Sequence, residues 1–284
     1  MSHTTIPRAC VIGHPIAHSR SPLIHGHWLA ALGIAGDYDK QDILPDRFAN
    51  FLLTLRDRGY VGGNVTVPHK EAAYRLVGRR DPAAAAIGAV NTIWYEGESL
   101  CGGNSDAHGF VASLDECAPG WQVSGARAVV IGAGGAAHAA AFALQARGVA
   151  VAVVNRTMDR ARDLATRFGR GVSAHRLAEL PQLLTTADVL SNCTSLGMVG
   201  QPPLEIELAT LKPTAVVSDA VYVPLETGLL SAAAARGHRV VDGLWMLLHQ
   251  AGYGFSKWFG VTPEVTPALR ALIEADIHAK TGTR

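Results

Sequence analysis

The chain carries no excess of charge of either sign. Its 284 residues include 25 basic and 24 acidic side chains, a formal net charge of +1, and charged residues make up 17% of the whole. A nucleic-acid binder needs a basic face to neutralise phosphates, and a membrane-surface protein needs a polybasic cluster; neither is present. Cysteine is also sparse. Cys10, Cys101, Cys117 and Cys193 are scattered with no C-x-x-C pair, which excludes a disulfide framework and a zinc knuckle. The longest apolar stretch, 128–144, is interrupted by Gly132, Gly134, Gly135 and His138, so it reads as strand, turn and helix instead of a membrane span. The first eight residues lack the charged-then-apolar layout of a signal peptide, and a cytoplasmic location is expected.

What is present is enough apolar material to build cores: 48% of residues are hydrophobic. At ~100–200 residues per domain, two domains are expected. Short β-branched runs alternate with longer helical ones, the pattern of an α/β protein with a mainly parallel sheet. Strands are expected at 9–12, 61–65 and 90–95, and helices at 22–32 and 45–57, each with proline in its first turn. After a turn-like break at 117–121 the alternation becomes cleaner. Strands are expected at 129–131, 150–154, 189–192, 215–218 and 239–241, and helices at 135–146, 158–168 and 227–236. Two closing helices, 244–259 and 267–279, have no strand of their own. They are expected to fall back on the first domain, giving a discontinuous domain of 1–105 and 243–284 around a central domain of 106–242, with a cleft between them.

The central domain opens with a cofactor signature. Val129-Val130-Ile131 leads into Gly132-Ala133-Gly134-Gly135-Ala136-Ala137. Gly132 permits the tight turn, Gly134 lets backbone approach a pyrophosphate, and Ala137 fills the third small position for helix–strand packing. The helix N-terminus then offers free N–H groups and its positive dipole end to phosphate. The next strand selects the dinucleotide. An NAD site wants a carboxylate there for the ribose 2′-hydroxyl. This chain has Asn155-Arg156-Thr157, then Arg160. Two guanidiniums suit a 2′-phosphate, so NADP is expected. The plainer reading, a solvated basic helix with Arg162 and Arg167, fits Arg160 better than Arg156.

Three polar clusters of the first domain lie at expected strand ends, and a fourth lies near the domain crossing. They are His18-Ser19-Arg20-Ser21-Pro22, Asn64-Val65-Thr66-Val67-Pro68-His69-Lys70, Asn91-Thr92, and Gly103-Asn104-Ser105-Asp106-Ala107-His108-Gly109. With the blocks at 132–137, 155–157, 192–198, 219–224 and 242–250, the chain resembles the shikimate dehydrogenase family over essentially its whole length. The resemblance implies reversible reduction of 3-dehydroshikimate to shikimate with NADPH. It implies Lys70 as the catalytic residue with Asp106 as partner, and Ser19 and Ser21 as ligands of the substrate carboxylate. Thr66, Asn91, Tyr222 and Gln250 fall on the remaining substrate-contact positions. Ala220 and Gly243 join Gly132, Ala133, Gly134, Gly135, Ala136, Asn155, Arg156, Thr157 and Arg160 as the implied cofactor set. A homodimer is compatible with it.

The chemistry suits these residue types. A carboxylate and three ring hydroxyls call for hydroxyl and amide donors, and a ketone under reduction develops oxyanion character that an ammonium stabilises and protonates. The plain alternative for Lys70 is a solvated lysine, yet the chain has only five lysines and otherwise uses arginine. Helix capping is the alternative for Ser19 and Ser21. The chain departs from the family pattern at Ser105 (usually threonine), Ala107 (glycine), His14 and Gly26 (asparagines) and His138 (arginine). A metal at His14, His18, His25 and His27 is not expected, because no cysteine or carboxylate joins them at ligand spacing. Trp245 and Met246 read as packing residues. Three other readings compete. A quinate/shikimate dehydrogenase using NAD would want the missing carboxylate. A non-catalytic NADP-binding regulator would have no reason to keep Lys70, Asp106 and the serine pair. A methylenetetrahydrofolate dehydrogenase would need a larger aromatic pocket.

Overall fold

The computed structural model describes residues 6–281; residues 1–5 and 282–284, and with them the start of the leader reading and the outermost limits of the expected domains, lie outside the described residues. The chain divides into two compact units, 1–105 with 250–284, and 106–249.

The first unit is built on a six-stranded mixed sheet in the order β2-β1-β3-β5-β6-β4. β1 (Arg8–Gly13) lies parallel to both β2 (Asp37–Asp42) and β3 (Tyr60–Val65). β4 (Arg79–Arg80) runs parallel to β6 (Ser99–Gly103), while β5 (Thr92–Glu96) is antiparallel to β3 and β6. α1 (Ser21–Ala31), α2 (Pro45–Leu53) and α4 (Pro82–Ile87) each carry proline in the first turn, where a missing N–H breaks no helical bond. α3 (Lys70–Leu76) follows β3 directly. One core packs Ile12, Phe48, Leu52, Leu55, Val65 and Ile93 together.

Two differences from expectation stand out. The helix expected over 45–57 ends at Leu53, because the chain must reverse into β3. Thr54 turns its hydroxyl back onto the Asn50 carbonyl at 2.8 Å, and Gly59 takes φ +83° at the reversal. β2 escapes sequence reading because it is a polar edge strand; only Tyr38 along it is buried, and Arg8 on β1 pairs with Asp37 and Asp39.

The second unit carries an all-parallel sheet of β7 (Arg127–Ile131), β8 (Ala150–Val154), β9 (Val172–His175), β10 (Val189–Asn192), β11 (Val216–Asp219) and β12 (Arg239–Val241). Their order is β12-β11-β10-β7-β8-β9, the doubly wound arrangement whose order reverses between β7 and β10. Central strands β10 and β11 are buried along their whole length, as expected of a sheet covered on both faces. Six of the first ten residues of α6 (Gly135–Ala146) are buried, five of them alanines. Their small side chains let the helix lie close on the sheet. α5 (Ser105–Cys117), α7 (Met158–Phe168), α8 (Leu180–Leu184) and α9 (Gly228–Ala235) complete the elements up to residue 242. The architecture is therefore the α/β fold that the alternating pattern implied, with one mixed and one parallel sheet.

α10 (Gly243–Phe259) begins in the second unit, and from Gln250 onward belongs to the first. α11 (Pro267–Thr281) lies on α1, where Arg20 pairs with Asp276 at 2.8 Å. The Trp28 and Trp258 indoles donate to the carbonyls of Glu264 and Ile93 at 2.9 and 2.8 Å, tying the closing segment to α1 and to β5.

Candidate active site

In the first unit the polar residues singled out by the sequence gather near the C-terminal ends of β1, β3 and β6 and the start of the antiparallel β5. Ser19 and Ser21 stand at the start of α1 with their hydroxyls 3.3 Å apart, and the Ser19 hydroxyl also accepts the Ser21 N–H at 3.3 Å. Two hydroxyls and a helix N-terminus make a place suited to a carboxylate. Thr66 follows β3, and its backbone closes the turn that leads to Lys70: His69 N–H donates to the Thr66 carbonyl at 2.8 Å. His69 is buried, stacked on Phe48 at 4.3 Å, with its Nε2 held 2.7 Å from the Ile43 carbonyl. Burial lowers its pKa, so it serves as a neutral wedge under the turn. Lys70, half-buried, opens α3, and its carbonyl accepts the Val90 N–H at 3.0 Å. That bond fixes the lysine's backbone beside the segment that carries Asn91.

Asn91 is buried at the head of β5. Its Oδ1 accepts the Ser105 N–H at 2.8 Å and faces the Thr92 hydroxyl at 2.9 Å. Ser105, with no exposed surface, also places its hydroxyl 3.1 Å from Gln250 Oε1 on α10. One small cluster therefore brings Asn91, Ser105 and Gln250 together, and Asp106 is the next residue along α5. Ser105 keeps the hydroxyl of the threonine it replaces.

In the second unit the glycine turn closes against β10. Gly132 has φ +110°, and a Cβ there would lie 3.0 Å from the Cys193 carbonyl oxygen, so glycine is required for both reasons. Beyond it the loop is open. A Cβ at Gly134 or Gly135 would meet nothing within 4 Å, and α6 starts with no side-chain cap. That bare helix end has room and donors for a pyrophosphate. At the end of β8, Asn155 donates to the Thr157 carbonyl at 2.8 Å and shapes the turn. Arg156 and Arg160 are exposed and make no ion pair among the described residues, whereas Arg162 pairs with Asp159 at 3.2 Å. The donor set suits a phosphorylated dinucleotide. His138 is committed elsewhere: its Nδ1 lies 2.9 Å from the Gly134 carbonyl, and its ring meets Phe168 edge-on.

Tyr222 and Ala220 follow β11 in a loop organised by a residue to which the sequence reading gave no role. Asp219 is buried and accepts from Asn192 Nδ2 at 2.9 Å, Val221 N–H at 2.9 Å and the Thr227 hydroxyl at 2.8 Å. Burial pushes its pKa up to about 6. Gly243 packs against this loop so tightly that a Cβ would come within 2.4 Å of the Ala220 carbonyl oxygen. An aspartate closing a buried strand was the available signal, because a buried carboxylate must organise donors around itself.

His25 is fully buried and stacks on Tyr38 at 4.0 Å, with its pKa lowered by burial to about 3. His14 pairs instead with Asp42 at 2.6 Å. Among the described residues no three His, Cys, Asp or Glu side chains converge as a metal site would need. Among them, too, no helix is long and apolar enough to cross a membrane.

A Rossmann-like sheet with an open glycine turn, together with a unit lined by hydroxyl, amide and ammonium donors, defines an α/β dinucleotide-dependent oxidoreductase. Comparison with known proteins makes this specific. Residues 11–93 match the shikimate dehydrogenase substrate binding domain, and residues 116–199 match the shikimate/quinate 5-dehydrogenase family. The shikimate dehydrogenase (NADP(+)) of Mesorhizobium japonicum is 57% identical, over 96% of this chain and 98% of its own. That of Chelativorans is 54% identical, over 97% and 98%. Among solved structures, shikimate 5-dehydrogenase from Thermus thermophilus in complex with NADP(H) and shikimate superposes with a TM-score of 0.82 at 35% identity, covering 96% of this chain and 99% of that one. Quinate dehydrogenase from Corynebacterium glutamicum in complex with NAD gives 0.87 at 30% identity, covering 95% and 99%. The chain belongs to the shikimate dehydrogenase family, and it is an NADP-dependent oxidoreductase.

Proposed function

We infer that the chain catalyses the reversible reduction of 3-dehydroshikimate to shikimate with NADPH. The observation that carries this reading is the cluster of buried Asn91 and Ser105 with half-buried Gln250, beside the anchored start of α3. It holds two side-chain amides in place next to the segment that opens with Lys70, the kind of fixed polar groups a small polyhydroxylated acid requires.

Ser19 and Ser21 hold the substrate carboxylate at the start of α1, and Thr66, Asn91, Gln250 and Tyr222 bind the ring oxygens. Lys70, as an ammonium, stabilises the oxyanion of the ketone under reduction and delivers its proton; in the reverse direction its amine takes the hydroxyl proton. Asp106 favours the charged lysine and orients it. NADPH, when bound, supplies the hydride. The open turn formed by Gly132, Ala133, Gly134, Gly135 and Ala136 receives the pyrophosphate, Arg156 and Arg160 the 2′-phosphate, and Asn155 and Thr157 the ribose end. Ala220 and Gly243 offer backbone to the nicotinamide end. The substrate role belongs to the first unit and the cofactor role to 106–242. A cytoplasmic location is supported by four cysteines that are all free thiols.

Steady-state kinetics with shikimate and quinate, each paired with NADP and NAD, tests the reading. Shikimate with NADP should give the highest kcat/KM of the four pairs. A preference for quinate with NAD would replace it with the quinate dehydrogenase activity.

A further inference from the structure

Beneath the substrate residues of the first unit runs a buried chain of hydrogen bonds whose direction is fixed at both ends. The Tyr38 hydroxyl donates to Asn64 Oδ1 at 2.6 Å. Asn64 Nδ2 then donates to the Asn91 carbonyl at 3.3 Å and to Thr92 Oγ1 at 3.4 Å, so neither end of this amide is free to exchange roles. Thr92 Oγ1, already an acceptor, has one proton, and the nearest acceptor is Asn91 Oδ1 at 2.9 Å. Asn91 Oδ1 also receives the Ser105 N–H at 2.8 Å, and two donors fill its two lone pairs. The Ser105 hydroxyl lies 3.1 Å from both Asn91 Oδ1 and Gln250 Oε1. With Asn91 satisfied, the single Ser105 proton goes to Gln250 Oε1. Asn64, Asn91, Thr92 and Ser105 are all buried, so water does not compete for these protons.

We propose that Ser105 is a positioning residue that sets the polarity of the Gln250 amide. By donating to Oε1 it holds the carbonyl end inward and leaves Nε2, a donor, as the end presented to a substrate ring oxygen. A donor at that point serves a ketone and a hydroxyl oxygen alike, because both accept. The site therefore binds the oxidised and the reduced substrate without reorienting the amide. This rests on Gln250 being a substrate contact, as read above. Thr92, Asn64 and Tyr38 are the backing of the same device.

Kinetics of shikimate oxidation with NADP on the full-length protein tests it. Ser105→Ala should raise the shikimate KM about tenfold, the worth of one buried hydrogen bond, with a smaller change in kcat and an unchanged KM for NADP. Ser105→Thr, which keeps the hydroxyl, should restore the KM. In a Gln250→Ala background the Ser105→Ala change should add less than about a twofold loss, because the group it orients is gone. Should the alanine variant fail to fold, Ser105→Cys, close in volume and a weak donor, should still raise the KM. The proposal is overturned if Gln250→Ala raises the KM while Ser105→Ala or Ser105→Cys leaves it unchanged. It is equally overturned if Ser105→Ala costs as much with Gln250 absent as present. A wild-type KM in Gln250→Ala is a distinct result, which removes Gln250 from the substrate site altogether.

Discussion

The two units solve their binding problems by opposite means. The first fixes side chains: Asn91, Thr92, Ser105 and Gln250 are locked to one another, and the Lys70 backbone is tied to Val90. In the second, the groups proposed to hold the cofactor are bare: a helix start with no side-chain cap, glycines with open space above them, and two exposed arginines that make no ion pair among the described residues. A small ring with several similar oxygens must be told from its isomers, which requires donors whose direction cannot change. Phosphates are multiply charged and accept from almost any direction, so backbone N–H groups and mobile guanidiniums suffice. Rigidity is placed where discrimination is needed.

The largest expected effect tests whether chemistry belongs to the first unit alone. Lys70→Ala should lower turnover by ~10²–10⁴-fold, the range for a positioned acid–base group, while NADP affinity stays near wild type. Lys70→Met, similar in length but uncharged, should be as damaging. Shikimate oxidation, which releases a proton, should speed up as pH rises, and ketone reduction should not. Wild-type turnover in either variant would leave Lys70 without a catalytic role.

Asp219 gives the second unit its own liability. Its pKa is raised from 3.8 to about 6, so between those values the folded state binds a proton that the unfolded state has lost. The group's contribution to stability is therefore greatest below pH 4, declines as pH climbs to 6, and is constant above. The decline is at most about 3 kcal/mol. Asp219→Asn cannot ionise. The difference in unfolding free energy between wild type and variant should shrink by that order between pH 4 and pH 7, measured by urea denaturation. A pH-independent difference would mean that burial does not raise this pKa.

The same contrast explains what the sequence made legible. Strands β8, β10 and β12 and helices α6 and α7 run over the residues expected; for β8 and β10 the reason is that a parallel sheet buried on both faces writes continuous apolar runs between clear breaks. β2, β4, β6, β9, α3, α4, α5 and α8 went unread; α5 was taken only as a polar motif block at its start. β2 is a polar edge strand, β4 has two residues, and α3 and α4 are too short for a helical period to emerge. Individual site residues were named through motif blocks, whereas the bonds between Ser105, Thr92, Asn64 and Tyr38 are tertiary. No spacing along the chain reveals that β2, β3, β5 and α5 bring them into one line.

In the first unit, Ser19→Ala and Ser21→Ala should each raise the shikimate KM by about tenfold or somewhat more, the worth of a hydrogen bond to a charged group, and change kcat little. The substrate carboxylate is the same before and during hydride transfer, so its ligands contribute uniform binding. A loss of kcat with an intact KM in either variant would take the carboxylate away from this helix start.

The smallest effect is expected at Arg156, and the reason is its exposure. An exposed guanidinium is screened by solvent, and its bond to a phosphate is weaker than one made in a buried pocket. Arg160, in the first turn of α7, is proposed to bind the same phosphate and would then cover part of the loss. Arg156→Ala should therefore raise the KM for NADP by only about tenfold at low salt, and less as ionic strength increases. The KM for NAD should stay nearly constant, because NAD has no 2′-phosphate to lose. The double change Arg156→Ala with Arg160→Ala should exceed either alone and bring the two cofactors close to parity. Equal losses for NADP and NAD in Arg156→Ala would mean that the arginine supports the loop itself. The contrast between a rigid substrate unit and an open cofactor unit would then fail at this position.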